Sequence, residues 1–223
     1  MKTAKRILVY LLGFFLLAIG INISKLASLG ISPVSSVPYA VELVWGIELG
    51  KATIIIYIGL ILLQIILLRK DYKIRNLLQF VSTYLLGTLI TYTSTEYLLF
   101  WMPVPVSYVV KLIYLFISIV VIGLGVFLFL TAGIMPLPAE GLSQVIVQVS
   151  KEKINLGNAK IIVDSGMVLI SALISLIFLG GLKSVREGTV LTALLVGKVI
   201  GFLMINYKER VMVWVEKGAG EAL

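Results

Sequence analysis

Six apolar stretches, each close to the length of a membrane crossing, leave this chain few ways to fold. They run Ile7–Ile23, Thr53–Leu68, Leu77–Leu99, Leu112–Leu130, Ala159–Leu179 and Thr189–Ile205. A helix needs about 20 residues to cross the hydrocarbon core of a bilayer. Backbone groups find no hydrogen-bonding partner in lipid, so each stretch must be helical or shielded by other protein. The chain is 60% hydrophobic and 13% charged, against about 45–50% and about 25% in an ordinary soluble domain. A soluble globular fold is excluded. The expectation is an all-α integral membrane protein with one membrane domain over residues 1–223.

Cys and His are both absent. Nearly all zinc, haem, iron–sulfur and copper sites therefore lack ligands, and Cys–His or Ser–His catalysis is excluded. No enzyme, metal or other cofactor is expected. The opening Met-Lys-Thr-Ala-Lys-Arg imitates the basic region of a signal peptide. No small-x-small cleavage site follows it, and five more apolar stretches do, so the first stretch reads as a retained helix.

Basic residues beside the spans set the orientation. Lys2, Lys5 and Arg6, the loop Arg69–Arg75, Lys151, Lys153 and Lys160, and the tail with Lys208, Arg210 and Lys217 fall on one side. Only Lys25, Lys51, Lys111, Lys183 and Arg186 fall on the other. The N- and C-termini are thus expected to be cytoplasmic, with a short tail over 207–223. The net charge of +8 is topological on this placement, and nucleic acid is not an expected partner.

The two halves resemble each other. A shift of 107 positions lays Gly50, Ala52, Ile54, Ile55 and Gly59 on Gly157, Ala159, Ile161, Ile162 and Gly166. With small changes of shift, Gly87 lies on Gly197, and Leu29-Gly-Ile-Ser-Pro33 lies on Ala132-Gly-Ile-Met-Pro136. Repeats of about 7–99 and 111–206 would each hold three spans. Because three is odd, the second repeat would be inverted in the membrane, as in many transporters. The connections 30–49 and 133–156 are too apolar for plain loops. Each contains a short helical candidate, Ser35–Trp45 and Ala139–Val149, too short to span a bilayer. Both read as re-entrant or interfacial half-helices. Ser35 is the expected N-cap of the first, with Pro38 in its first turn.

Four motifs carry a resemblance: Leu29-Gly-Ile-Ser-Pro-Val-Ser-Ser36, Leu77-Leu-Gln79, Pro138-Ala-Glu-Gly-Leu142 and Gly188-Thr-Val-Leu-Thr-Ala-Leu-Leu-Val-Gly-Lys198. In this order and spacing the chain resembles the YczE/YyaS/YitT group of bacterial membrane proteins over roughly residues 7–206. The resemblance implies a multi-pass protein of the bacterial cytoplasmic membrane and little biochemistry. An acidic residue often follows the third-span glycine of that group by four positions; Thr91 stands there in this chain, so no such carboxylate is carried over.

Ionisable groups inside spans are costly and point to function. Lys198 lies near the middle of the last span, about 13 Å from each end by helical rise. Asp164 shares a helix face with Val168, Ser171 and Ser175, and Lys198 is its expected partner; a local pair with Lys160, one turn earlier, is the alternative. Glu140 follows Pro138 in the first turn of the second half-helix. The first repeat offers neutral groups instead: Ser35 and Ser36 in its half-helix, Tyr57 opposite Asp164, and Thr88 opposite Lys198. Gly13 and Gly20, Gly59 and Gly87, and Gly197 and Gly201 suit close helix contact; the last pair could also join two copies.

The expected function is transport of a small polar solute through a site near the bilayer midplane between the repeats. The candidate binding or coupling residues are Lys198, Asp164, Glu140, Ser35, Ser36, Tyr57 and Thr88. Alternatives are a membrane scaffold or accessory protein for export of a product, and the substrate-binding subunit of an energy-coupling-factor importer. The last is disfavoured because Ile7–Ile23 holds one alanine, Ala18, where such subunits show an Ala-x-x-x-Ala pattern.

Overall fold

The computed structural model describes residues 2–216, all of whose regular structure is helical. The elements are α1 (Lys2–Ala27), α2 (Pro33–Trp45), α3 (Leu49–Leu68), α4 (Leu78–Tyr92), α5 (Tyr108–Ala132), α6 (Pro138–Val149), α7 (Leu156–Leu179) and α8 (Glu187–Glu216). Two 3₁₀ turns, Arg69–Asp71 and Ile74–Leu77, lead from α3 into α4. Five helices, α1, α3, α5, α7 and α8, are long and apolar enough to cross a membrane. Their outward surfaces carry exposed aliphatic side chains such as Ile66 on α3, Ile177 on α7 and Ile205 on α8. A multi-pass membrane protein exposes such surfaces to lipid.

The third apolar stretch is shorter as a helix than its sequence suggests. It gives α4, with 15 residues or about 22 Å of rise, followed by turns through Met102 rather than helix to Leu99. Hydroxyl and amide groups end it. Asn22 of α1 donates from Nδ2 to the Ile90 carbonyl at 2.8 Å and to Thr93 Oγ1 at 2.9 Å. Thr93 in turn donates to the Leu89 carbonyl at 2.7 Å. Side chains that serve the last carbonyls remove the need for another helical turn. The last stretch errs the other way: α8 continues past Ile205 to Glu216, so the expected tail is helical over most of its length. Its end, 217–223, lies outside the described residues.

α1 and α5 form the centre. Their backbones meet at Gly13 and Gly125, where a Cβ on Gly13 would stand 2.6 Å from the Phe129 nitrogen. Gly20 likewise admits Ile122. Phe14 meets Phe129 edge to face, with ring centroids 5.5 Å apart. Around this pair, α2 lies on α7 and α3, α6 lies on α3 and α7, α4 lies on α3 and α1, and α8 lies on α5. α3 and α4 meet backbone to backbone at Gly50 and Gly87: a Cβ on Gly87 would lie 2.7 Å from the Gly50 carbonyl oxygen. Gly59, Gly197 and Gly201, expected to share this role, have no neighbour within 4 Å. No other element packs closely against any of those three glycines.

Both short helices exist. α2 begins at Pro33, two residues before the expected cap, with Ser32 at the N-cap position and Pro38 inside the helix. The chain reaches α2 through Leu29–Ser32, a non-helical stretch in which Leu29 and Ile31 are buried. Gly30 has φ +96°, and a Cβ there would stand 2.5 Å from Thr189 Oγ1. The Gly188 amide donates to the Leu29 carbonyl at 2.7 Å. Glycine is required on both sides of this crossing, by backbone conformation at 30 and by space at 188. α2 then ends against α1 and α3 through Glu42, whose Oε1 receives Lys25 Nζ at 2.7 Å and the Leu49 amide at 3.1 Å. At the opposite end of the bundle Lys5 Nζ donates to the Trp214 carbonyl at 3.1 Å, so the start of α1 and the end of α8 lie together.

The glycine contacts make a stability prediction. Gly50→Ala and Gly13→Ala force two backbones apart and should each cost about 1–3 kcal/mol. Gly201→Ala, with open space around it, should leave the midpoint unchanged or raise it slightly through helix propensity. Thermal unfolding of the purified variants in detergent distinguishes the two classes.

Candidate functional site

A cavity of about 270 Å³ lies among α1, α2, α3, α5, α6, α7 and α8. The N-terminal turns of both short helices border it, through Pro33, Val34 and Ser35 of α2 and Glu140 of α6. A helix N-terminus carries free N–H groups and a positive dipole end, a property both turns bring to the cavity edge. Val34 and Ala139 belong to one apolar cluster, which brings the two helix starts together.

Local folding explains each start. Pro occupies the first position of both helices, where its missing N–H costs nothing. The start of α6 is held from behind by two fully buried amides. Gln64 of α3 donates from Nε2 to the Pro138 carbonyl and to Gln79 Oε1, both at 3.0 Å. Gln79 of α4 returns a bond from Nε2 to Gln64 Oε1 at 3.2 Å. A Cβ on Gly141 would stand 2.8 Å from Gln79 Nε2, so glycine lets α6 rest directly on the amide pair. The start of α2 is held by hydroxyls: Ser171 of α7 donates to the Ser36 carbonyl at 2.8 Å and bonds Ser184 at 2.8 Å.

The charged part of the site centres on Lys160 of α7. Its Nζ lies 2.8 Å from Asp164 Oδ1 and 3.8 Å from Glu140 Oε1. All three side chains border the cavity, as do Tyr57, Ser35 and Thr192. Glu140 Oε2 is buried with no hydrogen-bond partner. One ammonium between two carboxylates leaves the group with a formal charge of −1. Among the described residues no group of three metal-ligating side chains occurs. The arrangement can bind a polar or positively charged group against a largely aliphatic wall, and Glu140 can accept a proton.

Four of the seven expected site residues therefore come together: Glu140, Asp164, Tyr57 and Ser35. Three do not. Lys198 is exposed on α8 and forms no ion pair among the described residues; Asp164 pairs with Lys160 instead. The reason is rotational: α8 turns Thr192, Val196 and Gly197 to the cavity, and Lys198 points away. Thr88 is exposed on α4 and donates to the Tyr84 carbonyl within its own helix. Ser36 is buried but faces α7, with Oγ 2.6 Å from the Pro33 carbonyl and 3.3 Å from that of Met167. The expected stripe on α7 also divides: Asp164 serves the cavity, while Ser171 and Ser175 fasten α2 and the loop 181–184. Lys160 and Gln64 were not among the expected site residues. The i,i+4 spacing of Lys160 and Asp164 was the visible signal for the first; Gln64 had none.

Residues 4–205 match the model of a family of unknown function, DUF6198. No curated protein and no solved structure matches the chain.

The geometry assigns different roles to the two lysines. Lys160→Met should lower the unfolding midpoint, because it leaves two carboxylates without their cation. Asp164→Leu added to it should recover part of the loss. Lys198→Met should be near neutral. Equal losses for Lys160→Met and Lys198→Met in thermal unfolding would contradict the pairing.

Proposed function

This chain belongs to the DUF6198 family, and from its own site we propose that it is a membrane transporter of a small solute. The observation that carries the reading is the meeting of two short-helix N-termini, two carboxylates and an ammonium at one cavity. Transporters of several folds build their sites in this way, from interrupted helices near the bilayer midplane. In this reading α4 is the sixth crossing, completed by the turns around it, and α2 and α6 are re-entrant.

The inverted repeat pairs α1–α4 with α5–α8. Contacts in one half have counterparts in the other: α2 on α7 matches α6 on α3, α2 on α3 matches α6 on α7, and α1 on α4 matches α5 on α8. The contact between Lys5 and Trp214 fits an even number of crossings. The excess of basic residues at that end supports a cytoplasmic location for both termini. The resemblance to the YczE/YyaS/YitT group supports the bacterial cytoplasmic membrane as the location. Ala18 is fully buried, which argues against its use as a docking surface for an importer subunit.

Two measurements test this reading. Cysteine labelling in intact cells is clean because the chain has no native cysteine. Ser107→Cys should react with an impermeant reagent from outside, and Arg75→Cys only after the membrane is opened. The opposite pattern would overturn the arrangement. In proteoliposomes loaded with metabolite pools, a solute taken up by the protein should be taken up at least tenfold more slowly by Glu140→Gln, whose unfolding midpoint should stay close to that of the parent. Uptake unaffected by Glu140→Gln would remove this cavity from the pathway.

A further inference from the structure

The cavity has a side entrance. α7 and α8 follow each other through a short loop, yet their flanks make almost no contact. Between them runs a cleft lined by Ser165, Val168, Leu169 and Ala172 of α7 and by Ala193 of α8, reaching Pro33 and Asp164. Pro33, Asp164 and Ala193 also border the central cavity, so the two spaces adjoin. Along this flank α7 and α8 carry exposed Leu169, Val190 and Leu194, the kind of surface that lipid covers. The cleft therefore leads from the bilayer, not from water, to the carboxylates.

The corresponding helices of the first half are closed. Gly50 and Gly87 bring α3 and α4 into backbone contact. The internal register sets Gly157 and Gly197 at the matching positions, and neither is used in this way. Gly197 has no neighbour within 4 Å, and Gly157 meets only the side chain of Asn155. The small residues that seal one pair are present on the other and make no such contact.

Charge and lining then specify what fits. Asp164 is neutralised by Lys160 at 2.8 Å, whereas Glu140 Oε1 is 3.8 Å from the ammonium and Oε2 has no partner. With both carboxylates ionised one negative charge is left over, which a proton or a bound cation can balance. The rest of the wall is largely aliphatic, with Leu17, Ile21, Ile122 and Val126 opposite the charged side. We propose that the cavity binds a small organic monocation with an apolar body, and that this ligand enters and leaves sideways through the bilayer between α7 and α8. The proposal rests on the reading of this cavity as the binding site.

Three compounds that share a phenyl body and differ in charge test the ligand class: phenethylammonium, phenethyl alcohol and 3-phenylpropionate. Each is titrated against the full-length protein in nanodiscs, with thermal unfolding as the readout, since a ligand of the native state raises the midpoint by mass action. Phenethylammonium should raise it in a saturable way, with the apparent Kd weakened at least tenfold in Glu140→Gln and the other two compounds giving no shift. An equal shift from the alcohol or the carboxylate overturns the charge assignment, as does the absence of any shift with all three. The side entrance is tested by joining Ala172→Cys to Ala193→Cys with a short thiol cross-linker. Phenethylammonium added after cross-linking should no longer bind, and ligand bound beforehand should be retained. Unchanged exchange in the cross-linked protein overturns the route, and so does efficient disulfide pairing of Ala172→Cys between two copies, which would place a second chain over the cleft. Binding of the amine with no flux into liposomes supports this proposal and removes the transporter. Glu140-dependent flux of an anion with no amine binding keeps the transporter and overturns the proposal.

Discussion

Lipid cannot hydrogen-bond a peptide group, and the architecture follows from that constraint. Non-helical backbone is tolerated at membrane depth only where protein surrounds it. Leu29–Ser32 is surrounded in this way whatever its depth: it lies against the start of α8, with the Leu29 carbonyl taken by the Gly188 amide. Residues 133–137 meet it with the Met135 carbonyl accepting the Tyr10 hydroxyl at 3.1 Å. Once both breaks are buried, the helices that follow them begin inside the bundle. The cavity is the space those two beginnings leave between α1, α5 and α8.

The halves use different chemistry for the same mechanical task. The start of α6 rests on an amide pair, Gln64 with Gln79, and the start of α2 is tied by hydroxyls through Ser171. Each gives a carbonyl of the first helical turn a second hydrogen bond, worth about 0.5–1.5 kcal/mol net. The charges that border the cavity fall in the second half alone, on α6 and α7, while the first half contributes Tyr57 and Ser35. A site built from a charged half and a neutral half is asymmetric even where the helices match. The asymmetry extends to packing: α3 and α4 are sealed by glycine contact, and α7 and α8 stand apart.

The motifs that carried the resemblance turn out to be contact partners. Leu29–Ser36 crosses Gly188 and Thr189, and Gln79 lies under Gly141 of Pro138–Leu142. Their order and spacing were visible in the chain, but their pairing was not, because residues so far apart in the chain leave no trace of contact in a single sequence. Lys198 shows the same limit for charge. Its position along α8 follows from the residue count, yet position along the axis is one coordinate of a helix and rotation is the other. Lys160 sits nearer a helix end and resembled an ordinary flanking cation, although it faces inward between two carboxylates.

Length and polarity were legible from the residues alone. Apolar runs near 20 residues mark the long helices, since that is about the length of a hydrocarbon crossing and polar groups are costly there. Gly–Pro breaks mark α2 and α6, because proline fixes where a helix can begin. The spaced glycines at 50, 87, 157 and 197 were legible as small surfaces. Only the tertiary structure decided which of these are filled, and which carboxylate the lysine serves. Those outcomes depend on how each helix is turned about its axis, and that rotation is set by the packing of all its neighbours at once.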